Sequence, residues 1–108
     1  MKRQLPVLYV LQGKLAVPVS TMDDWIERFD HRTKHVCQTR VGGILISTVF
    51  LGLDHSFGSG LPQLFETMVF RGGQGDECER CGTWVEAEVQ HAAVVAVVRA
   101  EIVEKVNT

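Results

Sequence analysis

Two short stretches of this chain carry side chains that could do chemistry. The first is Asp54-His55, which opens the segment DHSFGSGLP and is followed, past Phe57, Gly58 and Gly60, by Glu66. An imidazole with two carboxylates nearby can perform general acid–base chemistry or hold a metal ion. A metal-dependent hydrolase built on Asp54, His55 and Glu66 is therefore one reading. A simpler one is that Asp54 accepts hydrogen bonds from backbone N–H groups of its own loop and that His55 is an ordinary loop side chain. No nucleophile is placed beside the imidazole by sequence, so catalysis is the lesser expectation. Backbone N–H groups at Gly58–Gly60 could also cradle an anion, which gives an alternative in which the protein sequesters a small nucleotide. The segment is neither a GxGxxG nor a Walker loop, and a strand is expected after it where those motifs need a helix. Glu66 is itself unusual, because it sits between Phe65 and Met68 in an apolar run. Facing inward it needs a partner, such as an arginine or His55.

The second stretch is Cys78-Glu79-Arg80-Cys81-Gly82. The C-x2-C spacing lets two thiolates reach one tetrahedral zinc. One pair is half a site; the remaining ligands would come from Cys37, His31, His35, His55 or His91, and His91, in the following helix, is within reach. The bland reading is two free cysteines at the end of a loop, with His91 a satisfied core histidine on the buried stripe of its helix. A redox C-x-x-C is disfavoured, because that motif opens a helix after a βαβ-type strand.

The elements that must position these groups are legible in outline. Residues 5–19 read as two short strands joined at Gln12-Gly13-Lys14. Ser20/Asp23 and Thr21/Asp24 both fit a capping box, and Met22, Trp25, Ile26 and Phe29 then share one helical face. That helix is expected to end near Arg32. Residues 35–41 and 44–53 read as strands joined by Gly42-Gly43, a pair that tolerates the positive φ of a two-residue hairpin turn. The second of these strands is apolar on both faces: Ile44, Ile46 and Phe50 on one, Leu45, Val49, Leu51 and Leu53 on the other. Such a strand is expected to be covered on both sides. One helix layer covers one face, and a second copy of the chain could cover the other, which predicts a homodimer. Residues 64–71 form the next strand, and GGQGDECERCG reads as a polar loop. Thr83-Trp84-Val85-Glu86 opens a second helix that carries Trp84, Ala87, His91, Val94/Val95, Val98 and Ile102 at helical spacing. The expected order is ββαβββα: one α+β domain with an antiparallel sheet of about four to five strands packed with two helices.

Bulk composition sets the remaining limits. A chain of 108 residues, 45% hydrophobic and 22% charged, is a single domain that can bury a core unaided. A net charge of -2 with scattered basic residues argues against nucleic-acid binding. No apolar run is long enough for a membrane span and no export signal is evident. With three cysteines, an odd count, this points to the reducing cytoplasm.

The stretches STVFLGLDHSF and P-LFETMVF, followed by ER, TW-EAE and H, resemble a family of small uncharacterised proteins encoded by bacteriophages and prophage-bearing bacteria. The resemblance covers most of the chain, from LYVLQGKLAVPV to His91. Residues that match it include Ser47, Thr48, Asp54, His55, Phe65, Glu66, Thr67, Thr83, Trp84, Glu86 and His91. It carries over no catalytic residue. Where the family resembles ERYSTW this chain has ERCGTW, so a zinc site at Cys78 and Cys81 would be private to this chain. The resemblance implies a phage-type accessory protein that acts by binding a host protein or defence complex in the host cytoplasm.

Overall fold

The structure, a computed structural model, describes residues 7–56 and 60–106. Phe57 and Gly58 lie outside the described residues. The chain forms an α+β fold in the order β1 (Leu8–Gln12), β2 (Leu15–Val19), α1 (Met22–Arg28), β3 (His35–Val41), β4 (Ile44–Phe50), β5 (Phe65–Arg71), β6 (Gln74–Cys81) and α2 (Trp84–Val106). Strands β1 and β2 make a two-stranded sheet, and β3-β4-β5-β6 make a four-stranded antiparallel meander. No helix among the described residues is long and apolar enough to cross a membrane.

The Gly42-Gly43 turn joins β3 to β4 as its chemistry requires: Val41 pairs Ile44, and Gly42 has φ 61°. The same device recurs at Gly72-Gly73, with φ 63° and 86° and Arg71 paired to Gln74. It returns the chain as β6, so the segment expected to be a polar loop is instead an edge strand. Its residues up to Arg80 are all exposed. With no buried face it has no apolar alternation to betray it.

Helix α1 also differs from expectation. Thr21 is its N-cap, accepting from the Asp24 amide at 3.1 Å. The helix stops at Arg28, where Phe29 turns extended. Only Trp25 and Phe29 pack; Met22 and Ile26 remain exposed. Trp25 Nε1 donates to the carbonyls of Tyr9 and Gly52, and the Tyr9 amide donates to Gly52 as well. These bonds fasten α1 and the β1–β2 hairpin to the end of β4.

Helix α2 covers one face of the large sheet. Its buried side chains are Ala87, His91, Val95 and Val98, the stripe its sequence predicts. Below them Ile46 and Val69 form one apolar cluster with Val95 and Val98. Phe50, Leu64, Phe65 and Ala87 form another. The opposite face, with Leu45, Val49, Met68 and Phe70, is only half-buried, and no helix or strand packs on it among the described residues.

Candidate functional site

Of the buried polar residues Ser47, Thr48, Thr67 and His91, the last three form one connected chain beneath α2, while Ser47 accepts from Gln38 on the other face of the sheet. Thr48 and Thr67 are directly paired across β4 and β5, both point at α2, and both are buried. Their hydroxyls lie 2.6 Å apart. His91 sits above them, 4% exposed. Its Nδ1 lies 2.8 Å from Thr48 Oγ1 and its Nε2 lies 2.8 Å from Thr39 Oγ1. Thr67 donates to Gln90 Oε1 at 3.1 Å, and Gln90 Nε2 donates to the Arg80 carbonyl at 3.4 Å.

Donor and acceptor inventories fix the direction of this chain. The Arg80 carbonyl can only accept, so it sets the Gln90 amide. Thr67 gives its one proton to Gln90 and must therefore accept from Thr48. Thr48 then has no proton left for the ring, so His91 Nδ1–H donates to it. Nε2 is left as the acceptor for Thr39. His91 is thus a neutral Nδ1–H tautomer with both nitrogens occupied. Burial also lowers its pKa below the ordinary histidine value. The network spans β3, β4, β5, β6 and α2, and it lies between the two apolar clusters. Its centre, Thr48, Thr67 and His91, is buried in the core, and its ends at Thr39, Gln90 and Arg80 reach the surface.

Asp54 follows β4 and closes its own loop. One Oδ1 accepts from the Ser56 amide at 2.8 Å and from the Gln63 amide at 3.0 Å. Burial pushes its pKa up, but these backbone bonds and the nearby His55 outweigh it and the net shift is downward. Stability from this carboxylate is therefore complete above its unfolded value and is lost as pH falls through the lower folded value, below about pH 4. Asp54→Ala removes both bonds and is expected to cost about 2 kcal/mol. Hydrogen exchange at the Gln63 amide should accelerate markedly, and an unchanged rate would count against the closure role. The His55 amide donates to the Gln63 carbonyl, which completes the two ends of the loop. Gly60 is exposed with φ 86°.

Glu66 lies on the uncovered face of the sheet, in register with Arg80. Arg80 Nε and Cys78 Sγ both reach its Oε2 at 3.0 Å. Its partner is thus an arginine, on a strand whose existence was not evident. Cys78 and Cys81 are three residues apart on β6, so their side chains leave opposite faces of the sheet. With both His91 nitrogens engaged by threonines, the structure does not bring Cys78, Cys81 and His91 together. No group of three or more histidine, cysteine or acidic residues among the described residues is placed to hold a metal ion.

The atoms around Cys78, together with the Glu66 hydrogen bond and charge, push its thiol pKa up to about 11. Glu66→Gln removes the charge. In a Cys37→Ser background, alkylation of Cys78 at mildly alkaline pH should then become several-fold faster. An unchanged rate would show that the carboxylate does not control the thiol.

A cleft of about 400 Å3 opens between the β1–β2 hairpin, residues 61–64 and the start of α2. Lys14 Nζ stands 5.7 Å from the centre of the Trp84 ring in its wall. Trp84 Nε1 is buried with no hydrogen-bond partner among the described residues.

Thr39 and Gln90 were not singled out from sequence, and Thr48 and Thr67 were named only as residues that match the family resemblance. Their signal was present: Thr48 lies between Ile46 and Phe50, and Thr67 between Phe65 and Val69, each at an inward position of an apolar strand. Hydroxyls there require a partner, and His91 is the polar residue on the facing stripe. No protein-family model, no curated protein and no solved structure matches this chain.

Proposed function

We propose that this protein acts by binding and not by catalysis, as a small phage-type accessory protein that engages a host protein or defence complex in the host cytoplasm. The observation that carries this reading is the uncovered face of the four-stranded sheet. Leu45, Val49, Met68 and Phe70 are half-buried around Ser47, a buried hydroxyl at its centre that accepts from Gln38, and polar groups edge it: His35 and Gln38 on β3, Glu66 and Arg80 towards β6. A mainly apolar centre inside a polar rim is the anatomy of a protein–protein interface. Three of the groups that sequence offers for chemistry have structural work instead. His91 has a threonine on each nitrogen, Asp54 closes its loop, and Glu66 pairs with Arg80 and Cys78.

Met68→Asp tests the reading, because it places a charge at the centre of that face without touching the core under α2. The expected result is a folded protein that has lost the effect of the wild type on phage infection or on a host defence. Full retention of that effect in the variant would remove the sheet face from the mechanism.

The cleft beside Trp84 favours a second reading, the sequestration of a small nucleotide. Lys14 supplies a cation there and Trp84 an aromatic wall. Native mass spectrometry beside the denatured mass separates the two readings: a co-purifying nucleotide supports the second, and a clean polypeptide mass supports the first.

A further inference from the structure

Helix α2 is apolar on two sides. Its buried stripe faces the sheet, yet Val85, Val89, Ala92, Ala96, Ala100 and Val103 also share one face, and all are exposed. They recur at intervals of three and four residues, which places them along a single line on the far side from His91. A helix that is hydrophobic all round is normally buried all round. Only one side of α2 is covered here, by β3 to β6.

The charges beside this face say what covers it. Glu88 and Arg99 are both exposed, and neither has an ion pair or hydrogen bond among the described residues. They lie three turns apart, so they stand on the same flank of the stripe. Reversal of the helix about a point level with Val94 superposes Val85 on Val103 and Ala92 on Ala96. The same reversal brings Glu88 level with Arg99–Ala100. Along the Glu88–Arg99 flank the face is therefore complementary to itself in the antiparallel sense, while on the other flank the same reversal sets the exposed Glu86 near Glu104 of the other copy. A two-fold axis there would set Glu88 of each copy beside Arg99 of the other and form the same pair twice. Alanines at the centre let the two backbones approach to the short end of helix-packing distances.

We propose that the outer face of α2 docks against the same face of a second copy, antiparallel, with Glu88 of each protomer paired to Arg99 of the other. This interface is separate from the sheet face on which the functional proposal rests, so either can fail alone. It leaves both sheet faces of the dimer free for a target.

Sedimentation equilibrium across micromolar concentrations tests it, with circular dichroism as the control for folding. The wild type should be a dimer. Ala96→Glu buries two unpaired charges at the two-fold axis and should weaken the dimer by about 100-fold or more. Glu88→Arg alone should weaken it by about tenfold through like-charge opposition. Glu88→Arg combined with Arg99→Glu should restore it to near the wild-type constant. A wild type that is monomeric throughout overturns the proposal. A dimer indifferent to Ala96→Glu but lost in Met68→Asp overturns it in favour of the sheet face. Failure of the charge swap to restore a dimer weakened by Glu88→Arg overturns the antiparallel pairing.

Discussion

His91→Ala should cost about 3–5 kcal/mol of folding stability, the sum of a cavity in a packed core and hydroxyls left without partners. The imidazole is 4% exposed and supports Thr39 and Thr48 from one position. For a domain of this length the melting temperature should fall by well over ten degrees, since each kcal/mol shifts it by about 4–8 °C. Replacing the buried centre of the network together should behave differently. His91→Leu with Thr48→Val and Thr67→Val turns the polar layer apolar at similar volume, and most of the lost stability should return. Urea unfolding of the three proteins measures both effects. A loss under 1 kcal/mol for His91→Ala would refute the account of the network.

The same histidine sets a pH dependence. Burial holds its folded pKa below the unfolded value of about 6.5. Above that pH both states are neutral and the contribution is complete. As pH falls below it the unfolded chain takes up the proton first, so stability declines until the lower folded pKa is reached. The difference in unfolding free energy between wild type and His91→Leu should therefore shrink between about pH 6.5 and the lower folded value. A difference independent of pH would mean that the ring is not held neutral by the fold.

How much of this was legible in the sequence depends on whether the signal was local. The β3–β4 hairpin was legible because Gly42-Gly43 states its turn type without reference to the rest of the chain. The start of α2 was legible for the same reason: the Thr83 hydroxyl accepts from the Glu86 amide and donates to the Glu86 carboxylate, a reciprocal cap readable at four residues. Asp54 was readable as a loop acceptor, since its partners are near in sequence. Strand β6 was not, because an exposed edge strand such as GDECER needs no apolar alternation; its only cue was the second Gly-Gly pair. With β6 missed, Arg80 could not be matched to Glu66, whose partner depends on the register of two strands. The early end of α1 was hidden similarly. Phe29 leaves the helix because its ring packs on Trp25 and Phe50, with centroids 4.7 Å and 6.0 Å away, and Phe50 is on a distant strand. The threonine–histidine layer needed three registers at once, those of β3 on β4, β4 on β5 and α2 on the sheet.

The second large effect is expected at a residue with no side chain. Gly52 follows β4 with φ 75°, a conformation that costs an L side chain about 1–2 kcal/mol. A Cβ there would stand 2.6 Å from Phe29 Cε2 and 3.0 Å from Trp25 Cζ2, and neither ring can withdraw freely. Trp25 is tied by its indole N–H to the carbonyls of Tyr9 and Gly52, and Phe29 stacks between Trp25 and Phe50. Gly52→Ala should therefore cost about 2–4 kcal/mol in total, strain and displaced packing together. The damage should be directional. The Gly52 carbonyl also holds the Tyr9 amide, so α1 and the β1–β2 hairpin should loosen before the sheet under α2 does. Hydrogen exchange would resolve this, with the Tyr9 amide losing protection while amides of β4 and β5 keep theirs. A uniform loss would mean that the hairpin, α1 and the large sheet unfold as one unit. Wild-type stability in Gly52→Ala would mean that the rings move aside without cost. Because the hairpin also forms one wall of the Trp84 cleft, this variant further separates the two functional readings. Ligand capture at the cleft should fall with it, whereas binding through Met68 and Phe70 on the sheet should persist.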